Sequence, residues 1–380
     1  MSAVAVALSS DVSARLAALI ETTVRPHAAA VDADCTFPTH TIDALREAGL
    51  LGLVTPTRFG GLGGGVVDAA RVVEAIAQAC GTSAMVVCMH YAGATVLAAH
   101  GSEAVNREVA AGRHLSTLAF SEAGSRSHFW APLSTARTDG EAVVLDADKS
   151  WITSATHADA FVWSSRPVSA TGASTIWLVP AKAAGLTVPA PFRGLGLRGN
   201  DSSPVKATGV RIAADARLGP DGGGFDVMMG TVLPVFNVMN AACSVGLMEA
   251  ALTGAANHVK GTSLVHLESA LAQLPTVRAT LAKARVQADA ARMLWEDALS
   301  ALADGRPDAM LRVLEVKAAA NDAALEVSQA CMRVCGGAAF RKEVGVERVF
   351  RDAQAGAVMA PTADVLYDFV GKAITGLPLF

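Results

Sequence analysis

The chain has 380 residues, a formal net charge of −4, 52% hydrophobic residues and only 5% aromatic residues. This length suffices for two or three packed units, and a core rich in Ala, Val and Leu is typical of helix bundles. The Lys and Arg residues are scattered rather than gathered in a basic stripe, which argues against a nucleic acid partner. Six cysteines without a C-x-x-C pair predict reduced, buried thiols in a cytoplasmic protein that has no metal site.

Residues 1–114 are predicted to form an N-terminal helical domain. Apolar residues recur there at helical spacing and are interrupted by proline and by glycine-rich turns. The predicted helices cover residues 11–31, 41–47, 66–80, 82–100 and 102–111.

Residues 115–215 change to short runs of β-branched and aromatic residues, separated by Gly, Pro and Asp. This spacing predicts a small antiparallel barrel or sandwich in the middle of the chain. The predicted strands cover residues 142–146, 160–164, 175–180, 186–188 and 205–212.

Residues 216–380 return to the helical period. The segment 227–248 carries no charge and is long enough to span a membrane. Pro234, Asn237 and Asn240 within it favour a helix buried in protein instead, so no membrane partner is expected. The long amphipathic stretches predicted as helices cover residues 225–260, 264–305, 310–336 and 363–375.

Two segments of the central region carry side chains suited to a flavin. Ser121–Ser127 is an acidic turn of small residues, and Trp151-Ile152-Thr153 places a flat aromatic wall next to a hydroxyl donor. A flavin ring needs hydrogen-bond donors near its N5 and pyrimidine edge and an apolar surface on which to stack. Taken alone, Trp-Ile-Thr is more typical of an ordinary buried strand.

Two glycine motifs are interpreted as loops rather than phosphate sites. Residues 194–199 spell G-x-G-x-x-G, but Ser203-Pro204 and a strand follow where a dinucleotide fold requires a helix. The run 60–65 lacks the lysine of a P-loop.

Three further motifs follow the two segments above at spacings that are typical of a known family. They are Gly196–Asp201, Cys335–Phe340 and Val346–Ala353. Together with the two segments above, they resemble the acyl-CoA dehydrogenase superfamily over roughly residues 10–370. The resemblance implies a mainly α, α+β fold with an N-terminal helical domain, a central small antiparallel β-barrel and a C-terminal four-helix bundle. It also implies a flavoprotein oxidoreductase that assembles as a homodimer or homotetramer.

The resemblance assigns cofactor contacts by position. Arg333, Gly336 and Gly337 match the strip that a neighbouring subunit lays along the dinucleotide pyrophosphate, although a helix-end Arg is as often a solvated cap. A family motif expected near residues 261–266 is missing, so FMN or a reduced flavin is an alternative to FAD. The implied cofactor-binding residues are Phe120, Ser121, Ser127, Trp151, Thr153, Arg333, Gly336, Gly337 and Thr362.

The substrate side departs from the family. The usual catalytic glutamate position, eight residues after Asp352, is Ala360. The alternative base position is Phe236, and the neighbouring substrate arginine is Asn237. None of these side chains can accept an α-proton, so the catalytic base is unknown.

Two histidines are the remaining candidates for the substrate pocket. His90 lies on a helix that lines the acyl pocket in the family, and it is a candidate catalytic group, although a lone histidine on an apolar helix is more often a core residue. His128, with its aromatic neighbours, is expected to narrow the entrance used by coenzyme A.

Three functions follow as hypotheses. The first is a flavin-dependent dehydrogenase acting on an acyl thioester or a related small C–H substrate. The second is a monooxygenase that uses reduced flavin and oxygen and needs no α-proton base. The third is a non-catalytic flavin-binding protein of the same fold.

Overall fold

Helices form the first part of the chain in the computed structural model, which describes residues 8–125 and 128–379. The helix α5 is the central element, because nearly all of its residues up to Leu97 are buried. A π-helical turn over Ile20–Val24 joins the first two helices. The helices are α1 Ser10–Leu19, α2 Arg25–Ala33, α3 Thr39–Glu47, α4 Val66–Ala77, α5 Gly81–His100 and α6 Glu103–Ala110.

The central part contains two small sheets. One sheet has the strand order β1-β4-β5 and the other has the order β2-β3-β7-β6. Their buried faces share a core that contains Phe161, Trp163 and Trp177. The strands are β1 Ser116–Ala119, β2 Thr135–Asp139, β3 Ala142–Ile152, β4 Ala160–Ser165, β5 Thr175–Pro180, β6 Leu186–Thr187 and β7 Ser203–Ala213.

The sheets correct the prediction of an antiparallel barrel in one respect. Strands β1 and β4 pair in parallel, with Ser116 opposite Ala160, whereas the other pairs within these two sheets are antiparallel. A parallel pair needs a long connection between its strands, and the β2–β3 hairpin lies within that connection. The strand signal was also missed at β1, which is only four residues long and buried throughout, and at β2, which is mostly exposed.

Helices return at Gly224 and continue almost to the end of the described chain. The predicted order of helical, sheet and helical regions is thereby confirmed. The helices are α7 Gly224–Val227, α8 Leu233–Gly261, α9 Pro275–Ala303, α10 Ala309–Cys335, α11 Val346–Val358 and α12 Ala363–Thr375.

The C-terminal bundle is built around α10, which packs against α8, α9, α11 and α12. Four helices were predicted, and α11 is the fifth. The predicted helix over 264–305 begins only at Pro275, because proline is favoured at the first helical position and not in a helix interior. The residues before it form a small hairpin, β8 Ser263–Leu264 and β9 Ser269–Ala270.

Two helical runs are long and apolar enough to cross a membrane, namely α5 and the continuous run Gly224–Gly261. Their most apolar stretches are 83% and 89% buried inside the protein, as in core helices. The six cysteines are unpaired, and five are buried. Cys35 is exposed, contrary to the expectation that all six would lie in the core.

Candidate active site

A cavity of about 900 Å³ lies where the three parts of the chain meet. Its walls come from α5, the segment 118–124, the end of β3, the loop 192–202, the start of α8, and the segment 355–365 that joins α11 to α12. Eight residues singled out in the sequence line it: Phe120, Ser121, His128, Trp151, Thr153, Phe236, Ala360 and Thr362. Ser127 lies outside the described residues.

Trp151 forms an exposed aromatic surface on one wall. The pairing of β3 with β7 shifts register between Lys149 and Ile152, and such an irregularity re-aims the side chains next to it. Trp151 has a φ of 59°, is 60% exposed and stacks on Phe192 with ring centroids 4.2 Å apart. A bulky residue at positive φ is strained, and such strain is found most often at ligand sites.

Hydroxyl groups lie beside this aromatic surface. Thr153 is 2% exposed, and its Oγ1 lies 3.4 Å from Oγ of Ser202. The carbonyl of Ser121 accepts from the amide of Ser150 at 3.0 Å, which ties the turn after β1 to the end of β3. The wall therefore combines a flat apolar surface with hydroxyl groups.

A buried ion pair between Lys149 and Glu122 fixes the turn after β1. Nζ of Lys149 lies 2.6 Å from Oε1 of Glu122 and also donates to the carbonyl of Ser164 at 2.7 Å. The amide and hydroxyl of Ser134 also donate to Glu122, and so does the amide of Leu133. Glu122 lines the cavity, but its carboxylate oxygens are occupied by these donors.

Burial and the opposite charge of the partner shift the pKa of each group in opposite directions. Burial by itself raises the pKa of Glu122, but Lys149 and the hydrogen bonds outweigh it and hold that pKa below its usual range. Burial lowers the pKa of Lys149 to about 8, against the attraction of Glu122. Glu122 is therefore an ionised structural group and not a free proton acceptor.

A second part of the lining, called the apolar wall, comes from α5, the start of α8 and the end of α11 with the residues after it, and is mostly apolar. Phe236 and Ala360 both line it, together with Met89, Val232, Leu233 and Val358. The two positions that carry a base in the family thus face the cavity in this chain as an aromatic ring and a methyl group. Besides Glu122, Asp364 is the other carboxylate among the described lining residues, and it is exposed in the first turn of α12.

His90 is not among the described residues that line the cavity, which corrects its placement in the substrate pocket. It is fully buried, Nε2 donates to the carbonyl of Leu51 at 2.9 Å, and Nδ1 accepts from the amide of Ser116 at 3.1 Å. Burial lowers the pKa of His90 to about 4, so the ring is neutral at physiological pH. These contacts show that His90 is a buried core residue whose ring nitrogens bond to backbone groups.

Asn237 is likewise placed away from the described lining. It is fully buried, and its amide donates to the carbonyl of Val313 on α10 at 3.2 Å. Consecutive helical residues point about 100° apart, so only Phe236 of this pair reaches the cavity.

The predicted strip at the end of α10 lies on the protein surface. Arg333, Gly336 and Gly337 are exposed and are not among the described lining residues of the cavity. Phe340, three residues further on, is 82% exposed. Within one chain these residues are not among the described residues that line the cavity.

The loop 194–201 contributes an arginine that sequence reasoning missed. Arg198 lines the cavity as a half-buried side chain. A Cβ on Gly196 would lie 2.2 Å from the carbonyl oxygen of Arg351, so only glycine allows this loop to approach α11 so closely. The signal for Arg198 in the sequence is the motif Gly196-Leu197-Arg198-Gly199, in which it is the charged residue.

Comparison with known proteins identifies the family. Family models for the acyl-CoA dehydrogenase N-terminal, middle and C-terminal domains match residues 10–112, 117–210 and 222–375. The chain belongs to the acyl-CoA dehydrogenase family. It is accordingly an oxidoreductase of a family of flavin-dependent enzymes.

Individual members of the family resemble the chain over most of its length. The mitochondrial short-chain specific acyl-CoA dehydrogenase of Bos taurus is 29% identical over 90% of this chain and 83% of its own. The structure of butyryl-CoA dehydrogenase from Megasphaera elsdenii has a TM-score of 0.90 at 22% identity, covering 97% of this chain and 99% of that chain. The FAD complex of PigA has a TM-score of 0.87 at 17% identity and covers 97% of this chain and 98% of that chain. The two structures, at this identity, establish likeness of fold.

The motif Arg351-Asp352-Ala353 lies on α11. It holds the loop 194–201 in place through hydrogen bonds. Oδ1 of Asp352 accepts from the amide of Leu197 at 2.7 Å. Arg351 pairs with Asp32 at 2.6 Å and donates to the carbonyl of Leu195 at 3.1 Å. Burial raises the pKa of Asp352 to about 6, because few groups offset the loss of water around its charge.

We predict that Asp352 makes stability depend on pH between about 4 and 6. Its folded pKa lies above the ordinary value of 3.8, so the folded protein holds the proton more tightly than the unfolded chain. This contribution to the free energy of unfolding is present below about pH 4 and is lost as pH rises through about 6. Asp352→Asn keeps an acceptor for Leu197 and should be the more stable protein at pH 7, by up to about 3 kcal/mol.

Urea unfolding of both proteins at pH 4, 5, 6 and 7 measures this difference. The gap between variant and wild type should widen as pH rises. A constant gap would show that Asp352 has the same pKa in the folded and unfolded states, and a gap that shrinks with rising pH would show a lowered folded pKa; either result contradicts the prediction.

Proposed function

We propose that the chain binds FAD along the Trp151 wall and oxidises a small acyl substrate held against the apolar wall of the same cavity. The observation that carries the proposal is the division of one cavity into these two walls. The first presents an aromatic plane and hydroxyl groups, and the second presents aliphatic and aromatic side chains. Flavin sites need the first kind of surface, and a C–H substrate needs the second.

The residues present fit a flavin. Trp151 offers an exposed plane, Thr153 offers a buried hydroxyl, and Ser121 lies on the turn held by Glu122 and Lys149. Thr362, at the start of α12, lines the cavity from the other side. Bound there, FAD would supply the hydride acceptor, while these groups orient its ring.

A backbone amide on the apolar wall suits a carbonyl oxygen. The carbonyl of Met359 faces the buried side chain of Lys317 at 3.1 Å. In a trans peptide the following N–H points in the opposite direction, so the amide of Ala360 faces away from Lys317. Among the described residues this amide has no acceptor, and Ala360 lines the cavity. An acyl substrate could accept a hydrogen bond there, which is why we favour an acyl compound over a plain hydrocarbon.

A monooxygenase is the second candidate, and a specific observation favours it. Both base positions, Ala360 and Phe236, face the cavity without a proton-accepting group. Chemistry that uses reduced flavin and oxygen does not require such a group. A dehydrogenase with this lining needs its proton acceptor from elsewhere, and Asp364 is the nearest such group in sequence.

Spectra of bound flavin separate the two functions. Bleaching by an acyl thioester in the absence of oxygen supports the dehydrogenase. Substrate-dependent oxygen consumption that needs an external flavin reductase supports the monooxygenase. Tight flavin binding without either activity would leave only a binding role and would overturn both.

We predict that Trp151→Ala and Thr153→Ala each weaken flavin binding. Loss of the Thr153 hydroxyl should remove a hydrogen bond of about 1 kcal/mol, equivalent to roughly fivefold in affinity. Loss of Trp151 should cost at least as much, because it removes the stacking surface. Fluorescence titration of the apoprotein with FAD measures both effects, and titration with FMN shows which flavin is preferred.

Thr135→Ala is the matched control, since Thr135 is exposed on β2 and is not among the described cavity lining. Its affinity for flavin should equal that of the wild type. Unchanged affinity in both site variants would place the flavin elsewhere.

We predict that the unmodified protein oxidises butyryl-CoA slowly or not at all. A general base typically contributes a hundred- to ten-thousandfold in rate, and none is present at Ala360 or Phe236. Ala360→Glu should raise the anaerobic rate of flavin reduction by butyryl-CoA, and Ala360→Gln, which has the same shape without a basic group, should not. Rapid reduction by the unmodified protein would contradict this prediction.

We also propose that the protein is a dimer or tetramer in which the Arg333–Gly337 strip of one subunit contacts the flavin of another. The strip is exposed and remote from the cavity of its own chain. Light scattering at micromolar concentration should give at least a dimer, and Arg333→Ala should weaken FAD binding more than FMN binding, because only FAD carries a pyrophosphate. A monomer that retains full FAD affinity would refute this assembly.

A further inference from the structure

Lys317 is a buried cation directly behind the apolar wall of the cavity. It lies on α10 and is 0% exposed. Its Nζ donates to the carbonyls of Gly356 at 3.1 Å, Met359 at 3.1 Å and Pro361 at 2.8 Å. An ammonium group has three N–H bonds and no acceptor, so three carbonyl partners match its charged form.

No carboxylate of the described chain pairs with this charge. Its other close neighbour is the ring of Phe236, whose centroid lies 6.0 Å from Nζ. The carbonyls at the C-terminal end of α11 offset part of the charge, as helix C-termini do. Burial lowers the pKa of Lys317 to about 7, which reflects the incomplete compensation. The thiol of Cys88 is the one titratable group that acts on it appreciably, and burial raises the pKa of that thiol far above neutral pH.

The charge is transmitted to the cavity through one peptide layer. Lys317 polarises the Met359 carbonyl, and the amide of Ala360 on the opposite side of that peptide has no acceptor within the described residues. The side chain at position 360 is a methyl group, so the chain itself places no negative charge between Lys317 and the cavity. An anionic group of a ligand is the natural complement to this wall.

We propose that Lys317 is a specificity-determining residue that makes this wall of the cavity select a ligand carrying a carboxylate group. The proposal rests on the proposed function only in placing the substrate in this cavity. At an effective dielectric of about 20, a unit charge near an ammonium ion changes a binding constant by tenfold or more. The wild type should therefore bind a small carboxylate at least tenfold more tightly than the neutral amide of the same shape.

The experiment must separate the effect of Lys317 on ligand binding from the effects of the other polar groups that line the cavity. Arg198 and His128 line it from different loops, and either could attract an anion. Asp364 is exposed in the first turn of α12 and opposes one. The Glu122 carboxylate is already paired with Lys149.

The experiment compares hexanoate with hexanamide by calorimetric titration of the flavin-loaded protein at pH 6.5. Lys317→Met keeps the length of the side chain and removes its charge, so the preference for hexanoate should fall to within about twofold. Lys283→Met, which alters an exposed lysine on α9, and Arg198→Met should both keep most of the preference. Loss of the preference in Arg198→Met but not in Lys317→Met would overturn the assignment.

A second variant covers the case in which Lys317→Met does not fold. Ala360→Glu supplies a carboxylate next to the amide that Lys317 polarises, so it should abolish the preference for hexanoate while flavin stays bound. Absence of any preference in the wild type would overturn the proposal without affecting flavin binding. If the protein takes up no flavin, the proposed function fails instead, and the same titrations on the apoprotein still test Lys317.

Discussion

The buried ion pair between Glu122 and Lys149 fixes the backbone segments that carry the Trp151 wall of the cavity. It joins the turn after β1, the end of β3, the start of β2 and the strand β4 through one carboxylate and one ammonium group. Burying two charges is unfavourable unless each finds several partners, and here each does. Removing either side chain would leave the other charged in a dry environment, and the positions of Ser121 and Trp151 would be lost with it.

A second constraint acts from the helical side. The loop 194–201 lies against α11 so closely that position 196 must be glycine, and Asp352 fastens it through the amide of Leu197. The segment after α11 is in turn held by Lys317. Asp352 and Lys317 thus fix this side of the cavity without being among its described lining residues, while the lining itself is free to differ from that of relatives with the same fold.

This separation explains how the chain keeps the family fold while lacking the family base. Asp352 and Lys317, which fix the backbone there, are not among the described lining residues, and an alanine in place of a lining glutamate does not disturb them. Fold and chemistry are therefore independent here, as they are in many enzyme families.

Much of this was predictable from the sequence, since periodicity reports burial directly. The helical, sheet and helical regions follow from the change of period from 3.6 to 2 and back. The Trp151 and Thr153 positions could be singled out only through the resemblance to the family, because Trp-Ile-Thr taken alone is more typical of a buried strand. Short elements were missed: β1 has four residues, and the hairpin before Pro275 interrupts an otherwise helical pattern.

The sequence by itself determined which residue types stand at the positions that carry a base in the family, and hence that Ala360 and Phe236 cannot accept a proton. Only the tertiary structure decided where the remaining polar groups lie. His90, the candidate catalytic group, and Asn237, assigned to the substrate pocket, both turn into the core and bond to backbone groups there. Lys317 showed no signal in the sequence, because a lone lysine on an amphipathic helix usually reaches solvent. Its burial depends on carbonyls some 40 residues away in the chain, a distance over which local patterns carry no information.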